Sequence, residues 1–241
     1  MIIDVDFLAE SVRAVGVESE ERMLGLLEAY AEFLIDYNEK VNLTAITAPE
    51  EIAVKHFADS LSLLPAIAPE QGARIADVGA GAGFPSVPLL TARPDLKITM
   101  IDSSNKRVTF LRLLMERLGL AEKGSEAVHM RAEEAGTAPE HREKYDFAVA
   151  RAVANLRELS EYCLPLVKLG GTFAAMKGAD VDEELSGAEK AIALMGGSVE
   201  QVKRFILPNG DGRSIILIKK ISQTPAKYPR PSAKIAKKPL V

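Results

Sequence analysis

The 241-residue chain contains one cysteine and no uninterrupted apolar run near the roughly 18 residues that a membrane-spanning helix requires. Cys163 alone cannot build an intramolecular disulfide framework or a cysteine-based zinc cluster. Residues 1–10 carry acids where a signal peptide would carry lysines, so we expect a cytoplasmic protein. A hydrophobic fraction of 47% excludes a disordered chain and predicts a globular protein with a substantial core.

The chain also has no acidic residue after Asp211, although its net charge is -4. The basic residues of this last stretch are Arg213, Lys219, Lys220, Lys227, Arg230, Lys234, Lys237 and Lys238. Clustered cations attract phosphates even when the protein as a whole is acidic. Charge alone equally allows a solvated terminus that only aids solubility.

The hydrophobic pattern changes near residue 73. Residues 1–70 show helical periodicity and predict an N-terminal helical extension, whereas short β-rich runs alternate with helical stretches afterwards. This alternation predicts a parallel sheet with helices on both faces. One of the later helices is expected to begin at Asn155 and to end at Gly170.

The end of the sheet departs from the parallel pattern. Residues 199–206 and 214–218 read as strands, and the link between them is too short for a crossover helix, so they must pair antiparallel. A reversed last hairpin is typical of the S-adenosylmethionine (SAM) methyltransferase variant of the doubly wound fold. We therefore predict an α/β protein with a doubly wound, Rossmann-like SAM methyltransferase domain at residues 71–221 and a basic tail at 222–241.

A glycine loop is the strongest local motif. The strand at residues 74–78 runs into Gly-x-Gly-x-Gly at 79–83, where glycines allow tight turning and close approach of a ligand. The acids at the ends of the first two strands are expected near a nucleoside ligand, Asp77 by its amino-acid end and Asp102 by its ribose hydroxyls. A turn that only packs a strand against a helix is the structural alternative.

An oxidoreductase linked to NAD is the alternative of a different chemistry. The dinucleotide fingerprint places its third glycine where this chain has Phe84. The chain also has no evident Tyr-x-x-x-Lys hydride-site motif. Both observations favour SAM over NAD.

Several short motifs stand in a fixed order along the chain, at residues 42–44, 56–61, 77–85, 131–133, 150–153, 176–178, 207–208, 228–230 and 237–240. Their order and spacing resemble the bacterial small-subunit ribosomal RNA guanine-N7 methyltransferase family, also called glucose-inhibited division protein B. The resemblance implies transfer of a methyl group from SAM to N7 of one guanine in 16S rRNA, in the small ribosomal subunit. The chain departs from the family's usual residues at Ala80, Ser86, Ala233 and Ile235.

The resemblance also implies which residues contact the cofactor. With Asp102 added from the strand pattern, the predicted cofactor site consists of Gly79, Phe84, Asp102, Ala132, Glu133 and Arg151. Arg151 could in addition form a salt bridge to a nearby acid such as Asp77 or Glu133.

Cations and one aromatic residue are the candidates for RNA contact. They are Lys177, Tyr228, Arg230, Lys234, Lys237 and Lys238. Tyrosine can stack on a base and cations can bind the RNA backbone, although Lys177 is equally well explained as a solvated lysine at a strand end.

The chemistry that the resemblance implies needs no general base. Guanine N7 has a lone pair and no proton, so we expect no acid–base catalytic residue and interpret His56 as structural or RNA-contacting. No metal site is expected, because His129 and His141 lack metal-ligand spacing. A ribosome-assembly or RNA-binding factor without catalysis is the non-enzyme alternative, and a monomer is the expected state.

Overall fold

A mixed β-sheet forms the centre of the protein, whose computed structural model describes residues 2–121, 124–151 and 154–240. The strands are β1 (Arg74–Val78), β2 (Lys97–Asp102), β3 (Glu126–His129), β4 (Tyr145–Arg151), β5 (Val167–Gly178), β6 (Gly197–Ile206) and β7 (Gly212–Lys220). Their order across the sheet is β3-β2-β1-β4-β5-β7-β6. The first five strands are parallel, as predicted.

Helical segments precede the sheet and connect its strands. The N-terminal ones are α1 (Val5–Ala14), α2 (Glu21–Asn38), α3 (Pro49–Glu51), a π-helix (Ile52–Ala58), α4 (Asp59–Leu61) and α5 (Leu63–Ile67). The later ones are α6 (Ser86–Ala92), α7 (Asn105–Arg117), α8 (Ala132–Ala135), α9 (Leu156–Cys163), a 3-10 turn (Leu164–Leu166), α10 (Asp182–Leu194) and α11 (Ser232–Lys237). Within the described residues, no helix has both the length and the apolar character needed to cross a membrane.

Alternate side chains of the central strands pack into two apolar cores, one on each face of the sheet. Ile75 packs in a core that also contains the N-terminal helices, α6 and α7, whereas its neighbour Ala76 faces α9 and α10. Tyr30 and Leu34 of α2 are fully buried in the first core. The N-terminal segment therefore covers one face of the sheet rather than standing apart from it.

The reversed hairpin at the end of the sheet is confirmed. Strand β7 pairs antiparallel with both β5 and β6, and Ile216 lies opposite Ala175 on one side and Val202 on the other. The link between β6 and β7 is closed by a hydrogen bond from the Leu207 amide to the Asp211 carbonyl at 2.9 Å. This geometry places the beginning of β7 beside the carboxyl end of β5.

The predicted helix from Asn155 to Gly170 is wrong in its second half. Asn155 does cap the helix, accepting a hydrogen bond from the Arg157 amide, but α9 ends at Cys163. Pro165 then lies in the 3-10 turn, where its missing N–H costs no helical hydrogen bond. Because Val167 already pairs with Tyr145, β5 begins within the segment that was predicted to be helical.

Candidate functional site

The glycine loop after β1 contains two glycines with different structural roles. Gly81 has φ +58°, and a Cβ added to it would meet only the Gly79 carbonyl at 3.8 Å. Gly83 has φ +99°, and a Cβ there would lie 2.9 Å from the Tyr30 hydroxyl. Gly81 therefore keeps the loop open towards a ligand, whereas Gly83 allows α2 to pack against the loop.

A cleft of about 610 Å³ opens at the carboxyl ends of β1, β2 and β4. Its size lies within the range of about 300–1,000 Å³ that small-molecule sites occupy. Every residue of the predicted cofactor site lines it, namely Gly79, Phe84, Asp102, Ala132, Glu133 and Arg151. The fold thus brings together residues that are up to 72 positions apart in the chain. They meet at the edge of the sheet where ligands of doubly wound folds bind.

Asp102 joins the end of β2 to the glycine loop. Its Oδ2 accepts a hydrogen bond from the Gly81 amide at 2.9 Å, and its Oδ1 accepts one from the Ser104 amide at 2.8 Å. Arg107 lies 3.7 Å away on the more exposed side. The carboxylate is thus fixed in orientation at the cleft wall, where ribose hydroxyls were expected to bind.

Asp77 was expected near the amino-acid end of the ligand, but it does not line the cleft. Its side chain is fully buried, and Oδ2 accepts a hydrogen bond from the Ser86 hydroxyl at 2.5 Å. Among the described residues, its Oδ1 has no hydrogen-bond partner. Burial raises the pKa of Asp77 to about 7, against the opposing effect of the Ser86 hydrogen bond.

Arg151, the last residue of β4, is held by the N-terminal helical segment. Its Nη1 donates to the Lys55 carbonyl at 3.2 Å and lies 3.0 Å from Asp59 Oδ2. Lys55 lies within the π-helix, so this segment supplies the carbonyl that Arg151 binds. Asp59 Oδ1 also pairs with Arg213 Nε at 3.2 Å, so one buried carboxylate joins two strands to the π-helix region.

Arg151 therefore does form a salt bridge to a nearby acid, but neither of the two acids named as examples is its partner. Among the described residues the ion pair of Arg151 is with Asp59, and none forms with Asp77 or Glu133. Asp59 lies within the motif at residues 56–61, but nothing in that motif indicated that it pairs with Arg151.

An aromatic stack forms the wall beside Arg151. The Phe84 ring stacks on Tyr30 with ring centroids 5.2 Å apart and on His56 at 4.2 Å. The Arg151 guanidinium lies 4.8 Å from the centroid of the same ring, a cation–π contact. Tyr30 also donates a hydrogen bond to the Ala82 carbonyl in the glycine loop. Phe84 thus links the loop to three other segments of the chain, and no glycine at that position could do so.

His56 is held neutral in this wall. Burial, and next the charge of Arg151, lower its pKa to about 3. Arg151 Nη2 lies 3.4 Å from His56 Nδ1, and a guanidinium can only donate, so Nδ1 is the acceptor. The proton is therefore on Nε2, which donates to Thr44 Oγ1 at 2.9 Å. Both ring nitrogens therefore contact other residues of the protein, and the interpretation of His56 as structural or RNA-contacting stays a prediction.

Two of the predicted RNA-contact cations are bound to acids of the protein itself. Lys177 Nζ lies 2.6 Å from Glu184 and donates to the Ala154 carbonyl. Arg230 Nη2 lies 2.6 Å from the fully buried carboxylate of Glu161, and its Nε also donates to that carboxylate. These contacts give both cations a structural role that their sequence positions did not indicate.

The other predicted RNA-contact residues divide between buried and exposed positions. Tyr228 is buried in the second core, whereas Lys234, Lys237 and Lys238 are exposed on and after α11. The same tail brings Ser232 to the edge of the cleft. The tail is therefore packed on the protein and presents its last lysines outward.

Several residues of the cleft wall had no role assigned from the sequence, although the motif at residues 42–44 contains two of them. They are Leu43, Thr44, Ser103, Arg107, Met130, Tyr162 and Ser232. In the described part of the chain, no group of three or more His, Cys, Asp or Glu residues is arranged to hold a metal ion.

The strand order, the reversed hairpin and the cleft behind a glycine loop define an α/β methyltransferase-like fold. A SAM-dependent O-methyltransferase from Thermotoga maritima superposes with a TM-score of 0.52 at 16% identity, covering 79% of this chain and 72% of that one. Residues 23–213 match the model of the family described as rRNA small subunit methyltransferase G. The chain belongs to this family, as the resemblance predicted, and this membership excludes the NAD-linked alternative.

Full-length relatives agree with the family match. The ribosomal RNA small subunit methyltransferase G of Acetivibrio thermocellus is 48% identical over 234 residues, covering 97% of this chain and 95% of the relative. The protein of the same name from Pelotomaculum thermopropionicum is 44% identical over 241 residues and covers both chains completely.

Proposed function

We propose that the protein transfers the methyl group of SAM to N7 of a guanine in 16S rRNA, acting in the cytoplasm on the small ribosomal subunit or its rRNA. The observation that carries the proposal is that the predicted cofactor residues of a family member converge on one cleft. The loop, the acids and the aromatic wall come from separate segments and would not meet there by local packing alone.

The residues of this cleft suit SAM. Gly81 leaves open space at the loop, and the Asp102 carboxylate is held in a fixed orientation at the cleft wall. We infer that Asp102 binds the ribose hydroxyls, that Ala132 and Glu133 adjoin the adenine, and that Gly79, Phe84 and Arg151 adjoin the amino-acid end of the cofactor.

Bound SAM supplies a methyl group activated by a positively charged sulfur. SAM held by Gly79, Asp102 and Arg151 would supply this methyl group to the guanine N7 lone pair, and the electron pair of the broken C–S bond would stay on sulfur. The base gains the positive charge and no proton leaves, so no general base is needed. The protein's contribution is then to orient the reactants and to supply a fixed electrostatic environment.

His56 and Arg151 suit such a positioning role. His56 is neutral well above its pKa of about 3. Its two nitrogens are engaged by Thr44 and Arg151. Arg151 is fixed by Asp59 on the far side of the wall. We infer that these side chains set the shape of the cleft, and that the exposed lysines at 234, 237 and 238 contact the RNA backbone.

Methyl-labelled SAM, incubated with unmethylated small subunits and separately with deproteinised rRNA, tests the proposal. Strand cleavage at N7-methylguanine would map the label, and one labelled guanine in small-subunit rRNA is the expected result. SAM binding without any label in either RNA would instead support an assembly or RNA-binding factor without catalysis.

A pair of glycine variants separates the cleft from the fold. Gly81→Val and Gly119→Val both introduce a side chain at a positive φ, +58° and +63°, where no close contact is made. Only Gly81 lines the cleft. We expect Gly81→Val to abolish SAM binding and labelling, and Gly119→Val to retain both despite a similar backbone strain.

A further inference from the structure

A second cleft adjoins the first on the other side of the His56–Arg151 wall. It encloses about 350 Å³, and both His56 and Arg151 line it as well as the larger cleft. It lies where β4 and β5 end and β7 begins, next to the reversed hairpin. No residue that the sequence assigned to the cofactor lies in it, apart from Arg151 in the shared wall.

The walls of this second cleft suit a planar aromatic ligand. Their apolar side chains are Ile46, Met176, Phe205 and Ile215, which come from a loop and three strands. Phe205 is partly buried near the end of β6. An aromatic ring beside a groove is a platform on which any nucleobase can stack.

The polar residues of the second cleft are mainly cations. Lys55, Arg151, Lys177 and Arg213 line it, and Asp59 is the one acid among its lining residues in the described part of the chain. Arg151 and Arg213 are both paired with Asp59. Lys55 is instead paired with Glu51 on an exposed helical turn, where an ion pair contributes little stability and can be exchanged for a phosphate.

The position next to the first cleft decides between a nucleobase and other aromatic ligands. Methyl transfer requires that donor and acceptor meet, so the acceptor site must lie directly beside the donor site. His56 and Arg151 are that shared wall. A volume of about 350 Å³, at the lower end of the range for small-molecule sites, suits one extruded nucleotide rather than a stretch of duplex.

We propose that this second cleft holds the guanine to be methylated, with Phe205 stacked on the base and Lys55 bound to a phosphate beside it; this inference rests on the proposed function. The target nucleotide would leave its stack and enter the cleft with N7 towards the His56–Arg151 wall.

Substitutions at Phe205 test the stacking contact. Phe205→Ala should lower kcat/KM for small subunits by about 10-fold or more, the size expected for loss of one base–aromatic stack, while the SAM dissociation constant stays within about twofold. Phe205→Leu keeps an apolar side chain but no ring and should behave like the alanine variant, whereas Phe205→Tyr should restore activity. Ile206→Ala is the matched control, since Ile206 follows on the same strand, is 71% exposed and lines neither cleft.

Substitution of Lys55 tests the phosphate contact. Lys55→Ala should weaken RNA binding and reduce the slope of log K against log salt concentration by about 1. Lys40→Ala is the control, because Lys40, in the turn after α2, is also paired with an acid four residues away but lies outside both clefts.

The outcomes distinguish this inference from the function on which it rests. If the wild-type protein labels no guanine, the proposed function fails and the acceptor site fails with it. If the wild type labels its guanine and Phe205→Leu keeps full kcat/KM, or Lys55→Ala keeps the full salt slope, the acceptor assignment is overturned while the function stands.

Discussion

The guanidinium of Arg151 lies 3.0 Å from the carboxylate of Asp59, and this ion pair joins the last residue of a central strand to the N-terminal helical segment. Asp59 is 6% exposed and also binds Arg213. The wall shared by the two clefts therefore depends on a residue that contributes nothing to the glycine loop itself.

Replacement of Asp59 should destabilise the protein strongly. Asp59→Ala leaves the Arg151 charge buried without its partner, which costs about 3–5 kcal/mol in comparable cases. Asp182→Ala breaks an ion pair with Arg204 whose two side chains are 77% and 51% exposed, and it should cost at most about 1 kcal/mol. Urea unfolding at pH 7 measures both free energies of unfolding, and equal losses would contradict the structural role given to Asp59.

Asp77 should make the stability of the SAM-free protein depend on pH. Burial raises its pKa in the folded state from 3.8 to about 7, so the folded protein keeps the Asp77 proton over a range in which the unfolded chain has lost it. The contribution of Asp77 to the free energy of unfolding is therefore fully present below about pH 4 and is lost as the pH rises to about 7. The total loss is at most about 4 kcal/mol.

Asp77→Asn removes this titration. The difference between the free energies of unfolding of wild type and variant, measured from pH 4 to 8, isolates it from all other groups, and a difference independent of pH would refute the assignment. Ser86→Ala removes the hydrogen bond that lowers the pKa of Asp77, so it should move the pH window upward.

The close approach of α2 to the glycine loop predicts a large effect at Gly83. Gly83→Ala would place a Cβ 2.9 Å from both the Tyr30 hydroxyl and Val87 Cγ2, at φ +99°. Overpacking of about 1–3 kcal/mol adds there to the backbone strain of about 1–2 kcal/mol. Gly72→Ala, at φ +72° with nothing within 4 Å, carries the strain alone. Thermal unfolding should show the larger loss for Gly83→Ala, and similar melting temperatures would rule out the packing argument.

The sequence was informative wherever local pattern decides structure. The short link after Ile206 required the antiparallel hairpin, and the strand endings at Asp102 and Arg151 placed these residues at the edge where the cleft opens. It was not informative about which acid meets Arg151. That choice depends on how the π-helix region packs across the sheet, and no spacing between Asp59 and β4 expresses it.

The tail shows the same limit. A run of cations without acids predicted an outward-facing surface, and Lys237 and Lys238 do face outward. Arg230 in the same run turns inward because its partner Glu161 is fully buried in α9. Charge counts along the chain carry no information about such a long-range partner.

The Arg230–Glu161 ion pair predicts that the tail supports the cofactor cleft. Arg230 chelates the buried carboxylate through two nitrogens, and two residues later Ser232 lines the cleft. Arg230→Met leaves Glu161 charged and unpaired in the interior, so the tail should detach and expose new protease sites, with a loss of SAM affinity of about 10-fold or more. Arg230→Lys keeps the charge but not the bidentate contact, so its SAM affinity should lie between those of the wild type and Arg230→Met.

Lys227→Met serves as the control for the tail, because Lys227 is exposed and its amine lies 5.2 Å from the centroid of the Tyr228 ring. Calorimetric titration with SAM and limited proteolysis measure the two effects in parallel. A variant at Arg230 that is cleaved readily but binds SAM as tightly as wild type would show that the tail packs on the cleft without supporting it. Loss of both together would make the basic tail part of the cofactor site as well as a candidate RNA contact, since the same residues that anchor it leave its last lysines exposed.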